Sequence, residues 1–128
     1  MDLAECGMLR RRGVQQDYVL KLIQEAGEVL ARLRAKLLGT ESKPEALRAD
    51  AALAIRALLG DDASLLALLD ADTAVRIAGS PERVALWAAL LDVEAEAARS
   101  CGDAQYAESR HARANALRAA AAALEAED

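Results

Sequence analysis

Phenylalanine is absent from this chain, and one tryptophan and two tyrosines make up its aromatic content. Valine, isoleucine and threonine together number 11 in 128 residues. Strands draw on β-branched and aromatic side chains, so this composition argues against a sheet-built core. The two cysteines, Cys6 and Cys101, lie far apart in sequence and form no disulfide framework, so nothing calls for an oxidising compartment. The longest run without a charge, Val84–Leu91, is 8 residues, against roughly 20 needed to cross a bilayer. No apolar segment follows Arg10, Arg11 and Arg12, so no secretory signal is read and the expected compartment is the cytoplasm, with no membrane partner. Glycines occur singly, which leaves no loop to cradle a phosphate.

What the chain has in quantity is alanine and leucine, 32 and 21 copies. These are the strongest helix formers, and an all-α fold follows. Alanine buries little area, so each contact yields less than a leucine contact, but it lets helix axes come close. The run Ala119 to Ala123, bracketed by Leu117 and Leu124, is therefore expected to be a close-packing face.

The net charge is −5 and lies wholly in the second half, where residues 65–128 hold 6 basic and 11 acidic groups. A nucleic-acid protein needs a basic face to neutralise phosphates, so no nucleic-acid partner is expected. The Arg10–Arg12 cluster reads as a solvated end.

Periodicity places the elements. Val19, Leu22, Ala26, Leu30, Leu33 and Leu37 recur at helical spacing and predict a first helix from about Gln15 to Leu38, with Gly39 as a left-handed stop. Residues 1–13 are expected to be a flexible extension, and residues 14–128 a single all-helical domain. Ser42 followed by Pro44 and Glu45 reads as a capping box opening a second helix to Leu59, stopped by Gly60. Asp62 and Asp72 are expected to cap two short helical stretches, through Leu69 and Ala78. Ser80-Pro81-Glu82 opens a helix to about Ser100 with two apolar stripes, one through Val84, Trp87, Leu91, Ala95 and Ala98, the other through Leu86, Leu90, Val93 and Ala97. Apolar on two sides means packed on two sides, so this helix is expected at the centre. Gly102-Asp103 then leads into a last helix from Ala104 to about Glu125. The predicted fold is a helical bundle of two antiparallel helical hairpins joined by short helices.

Four side chains are the candidates for ligand or partner binding: Asp92, Glu96, Arg110 and His111. Two carboxylates four apart share a helix face and serve acid–base chemistry only if burial splits their pKa values; otherwise they form a wet acidic ridge facing Arg110 or Arg113. Glu108 and His111 make a Glu-x-x-His pair, but a di-metal bundle needs two such motifs and this chain has one histidine, so no metal is expected and a surface Glu–His pair is. Cys101 lies near a helix C-terminus, where the dipole disfavours a thiolate, and reads as a structural thiol. Trp87 and Tyr18 fall on apolar faces and are expected in the core, with Tyr106 near a hairpin tip.

The spacing of Ala107, His111 and Ala114, and of Ala51, Ile55 and Leu58, resembles the second helix of tetratricopeptide hairpins, with Trp87 and Leu90 similar to the first, although Leu91 stands where that pattern has glycine. The segment Gln16-Asp17-Tyr18-Val19-Leu20-Lys21-Leu22-Ile23-Gln24, with the Gly102-Asp103 turn, resembles a family of small bacterial proteins of unknown function with a tetratricopeptide-like C-terminal hairpin. That resemblance implies an all-helical domain and supplies no catalytic residue. Two functions are expected. The first is a non-catalytic interaction module, binding a protein partner or itself as a homodimer, with no cofactor. The second is a small-ligand or metal-binding sensor, or a minor enzyme, with a pocket between the hairpins lined by the four residues named.

Overall fold

Helices form wherever alanine and leucine recur at helical period, and the observed chain is helical throughout, with no strand among the described residues. The computed structural model describes residues 3–39 and 42–127, with side chains from Asp17 onward. The elements are α1 (Leu3–Leu38), α2 (Pro44–Leu59), a 3-10 turn (Gly60–Asp62), α3 (Ala63–Leu68), α4 (Ala71–Ala78), α5 (Pro81–Ser100) and α6 (Ala104–Ala126). Among these described residues no helix is long and apolar enough to cross a membrane.

Helix α5 occupies the centre and lies against α1, α2, α4 and α6. Both predicted stripes are used: Val84, Trp87, Leu91, Ala95 and Ala98 are buried, as are Leu90, Val93 and Ala97, with Leu86 partly so. Consecutive helices α1 and α2 pack on each other, as do α5 and α6. At the far end of the α5–α6 pair Ala95, Ala98 and Ala107 meet under Tyr106, a contact of methyl groups that brings two backbones close.

The caps explain the boundaries. Ser80 Oγ accepts from the Arg83 N–H at the start of α5, and Asp103 Oδ1 accepts from the Tyr106 N–H at the start of α6. Between these helices Gly102, at φ 87°, lets the Asp103 N–H reach the Ala98 carbonyl and its own N–H reach Arg99, a left-handed C-terminal motif that passes directly into the next cap. This explains how one residue pair reverses the chain.

Several details differ from the sequence reading. Helix α1 begins at Leu3, so it continues back through residues assigned to an extension. The residue before α2 is Lys43, extended at ψ 134°, with no side-chain cap; proline forbids a helical residue ahead of it, so Ser42 lies one position too early. Asp62 makes no cap bond because it already belongs to the 3-10 turn, whose Gly60 carbonyl takes the Ala63 N–H. Asp70, not Asp72, caps α4, since Leu69 and Asp70 are both extended and helix starts at Ala71. The left-handed glycines among the described residues are Gly60, Gly79 and Gly102, and Gly39 is not one of them. Tyr18 is 52% exposed, outside the core, at the edge of the α1 stripe beside Gly60. Of the Ala119–Ala123 run, Ala120 and Ala121 pack on the core and the others face solvent.

Candidate functional site

Three of the four predicted site residues meet. His111, on α6, turns toward α5, where its Nδ1 lies 2.9 Å from Asp92 Oδ1 and its Nε2 lies 3.0 Å from Glu96 Oε1. Asp92 also accepts from Arg118, and Glu96 accepts from Arg99 Nη1 at 2.8 Å. Each ring nitrogen therefore faces a carboxylate, and neither is turned to an open coordination position. The cluster is half-exposed and works as a clamp between α5 and α6. Glu108 is exposed and His111 is directed to α5, so the surface Glu–His pair expected on α6 is replaced by pairs across the helices. The acidic ridge faces Arg118 and Arg99; Arg113 bonds the Leu66 carbonyl and Arg110 lies over the Tyr106 ring, both away from the ridge. Among the described residues no group of three or more His, Cys, Asp or Glu side chains is arranged to hold a metal ion.

Arg110 lies on the side of α6 that faces a cavity of about 330 Å³ between α2, α3, α5 and α6. Its apolar wall includes Ile55, Leu59, Trp87 and Leu91, and its polar lining is Arg56, Ser64, Glu94, Arg110 and Arg113. Glu94 is only 4% exposed, and its Oε2 accepts the Tyr106 hydroxyl at 2.8 Å. Burial pushes the Tyr106 phenol above its ordinary pKa, and the bond to Glu94 pushes the same way. The Arg48 guanidinium lies 4.3 Å over the Tyr106 ring and donates to Asp103 Oδ2 at 3.0 Å, which ties α2 to the Gly102-Asp103 turn. Arg113 donates to the Leu66 carbonyl at the end of α3 and lies 5.3 Å over the Trp87 ring. Burial pulls its guanidinium below the ordinary value, and the like charge of Arg110 adds to that.

Neither Glu94, which the sequence reading sets beside Asp92 and Glu96 on the acidic face, nor Arg83 is among the predicted site residues. Arg83 is 7% exposed and donates from Nε and Nη2 to the Leu58 and Leu59 carbonyls at 3.1 and 2.8 Å, closing the end of α2. A signal for both exists in the spacing. Arg83 stands four before Trp87, and Glu94 stands three and four after Leu91 and Leu90, so each falls on an apolar row of α5. Cys101, the expected structural thiol, is free and partly exposed at the end of α5.

A second concave feature runs along the seam of α1 and α2. Leu22, Glu25, Ala26, Val29, Ala54, Ala57 and Leu58 line one hollow; Val29, Leu33, Leu53, Ala54 and Ala57, with Arg32, Lys36 and Asp50, line the next, and Val29, Ala54 and Ala57 belong to both. Leu53 stands 61% exposed at its edge. No protein-family profile, no curated protein and no solved structure matches the chain.

Proposed function

We propose that this chain is a non-catalytic helical interaction module, and that the seam between α1 and α2 takes an amphipathic helix from a second copy or from another protein. The observation that carries the reading is the pair of adjoining hollows along the seam, from Leu22 to Leu53, which share the apolar floor of Val29, Ala54 and Ala57. Helix-in-groove recognition uses such a row of anchors at helical spacing. Apolar surface of this kind marks a contact face.

The charges beside the seam favour a second copy. Glu25 of α1 borders one end, and Arg32 and Lys36 of α1, with Asp50 of α2 across from them, border the other. A two-fold axis near Val29 sets α1 against its mate in antiparallel fashion, with Glu25 of each copy beside Arg32 and Lys36 of the other. Such a self-complementary patch is what an isologous dimer requires. The likeness of Gln16–Gln24 and of Gly102-Asp103 to small bacterial helical proteins, and of α5 and α6 to a tetratricopeptide-like hairpin, belongs to the same proposal.

Sedimentation equilibrium over a wide concentration range tests it. A monomer–dimer equilibrium that Leu53→Glu abolishes, with helicity retained, supports self-association. A chain that stays monomeric but captures a protein in a Leu53-dependent manner assigns the seam to another partner. A monomer that captures nothing through this face refutes the reading.

A further inference from the structure

The cavity on the other side of α2 holds two polar groups with unfilled bonding positions. Glu94 is almost wholly buried and spends Oε2 on Tyr106, while Oε1 accepts no hydrogen bond among the described residues. Arg110 has a buried Nε with no partner among the described residues, and its guanidinium rests 5.3 Å over the Tyr106 ring. Buried donors are almost always satisfied, so the orphan Arg110 Nε, beside a carboxylate with one oxygen free to accept, points to a molecule that bonds both. Arg110 and Arg113 are near enough for their like charges to oppose each other; Asp70 offsets part of this at Arg113, and no described carboxylate is within salt-bridge distance of either. An anionic group between them removes that repulsion.

The apolar wall of Ile55, Leu59, Trp87 and Leu91 sets the rest of the ligand. At about 330 Å³ the cavity is near the lower end of small-molecule sites, roughly 300–1,000 Å³. Arg56, which is exposed, and Ser64 complete the polar lining; a phosphate dianion set against Arg110 also meets the buried Glu94, and a plain carboxylate leaves the second Glu94 oxygen without a donor. We infer that the cavity binds a small zwitterion with an apolar body, the chemistry of an apolar α-amino acid, with its carboxylate toward Arg110 and its ammonium toward Glu94. The Asp92–Glu96–His111 clamp takes no part. This site is independent of the α1–α2 seam.

Calorimetric titration of the full chain with L-leucine and with L-phenylalanine is the test, with isocaproate and isopentylamine as probes that lack the ammonium and the carboxylate. One of the amino acids should bind and raise the melting temperature. Arg110→Gln, at a half-exposed position, should weaken that binding about tenfold or more. Ile55→Trp, which fills the cavity and leaves the charges intact, should abolish it, and Leu53→Glu should not change it. Circular dichroism confirms that each variant folds. Binding of neither amino acid at about 10 mM, binding indifferent to Arg110→Gln and Ile55→Trp, or equal binding of isocaproate overturns the inference.

Discussion

Replacing Arg83 by methionine removes the guanidinium and keeps an apolar stem of similar length, so the perturbation is confined to the two bonds that close α2. The last carbonyls of a helix have no partner within it, and at Leu58 and Leu59 burial keeps water from substituting. A hydrogen bond to a charged group contributes about 1.5–3 kcal/mol, and the negative end of the helix dipole adds to the attraction. Against this, methionine relieves the desolvation of a buried cation that has no carboxylate partner among the described ion pairs. The balance is a loss of about 3 kcal/mol, which for a domain of this size lowers the melting temperature by about 10 °C. Arg83→Lys keeps the charge and loses the fork, so it should fall between the two. Urea unfolding measures the free energy, and calorimetry measures the midpoint. An Arg83→Met protein within about 0.5 kcal/mol of the parent refutes the reasoning, because the carbonyls would then find other partners at no cost.

Three further outcomes are expected. Tyr106→Phe strips the bond from buried Glu94 and should cost about 1–2 kcal/mol at neutral pH. Because folding raises the Tyr106 pKa above 10.0, the stability it carries is present below that pH and is lost as pH rises through the folded value, so the variant should show a shallower alkaline decline in thermal melts. Asp70→Ala removes the α4 cap; the Thr73 bonds hold the Asp70 carboxyl below its ordinary range, so the parent's advantage should be full above pH 3.8 and vanish as pH falls through the folded value, read by melts in acid. Ala98→Leu forces three carbons into the contact of Ala95, Ala98 and Ala107 and should cost about 1–3 kcal/mol by urea unfolding.

Most of the architecture was legible because it rests on local rules. The bounds of α5 follow from Ser80, Pro81 and Gly102, and its central place follows from two apolar stripes on one helix. Boundaries went astray where a neighbour overrode a cap: Pro44 moved the start of α2 away from Ser42, and the 3-10 turn took Asp62 out of capping position. The convergence of Asp92, Glu96 and His111 was visible in outline, since α5 and α6 are joined by a tight turn and both present polar faces there. The side taken by Arg110 was legible but misjudged: His111 and Arg118, seven apart, share the face of α6 that meets Asp92, whereas Arg110 is the neighbour of His111, about 100° around the axis. Glu94 and Arg83 escaped because a single charge inside an apolar row looks like an interruption, and only the partners reached across the fold, Tyr106 and the end of α2, make burial tolerable. The α1–α2 hollow was illegible for a different reason. Ala54 and Ala57 read as helix-packing residues, and only the placed backbones show that the helices leave space beyond them.

The central claim is that the α1–α2 seam is a docking face for a second helix. Its most direct test is isotope-filtered NMR on a mixture of labelled and unlabelled chains. The account predicts intermolecular contacts between the methyl groups of Val29, Leu33 and Leu53 of one copy and the same seam of the other. Intermolecular contacts that fall only on other faces, or none at concentrations where the parent sediments as a dimer, contradict it.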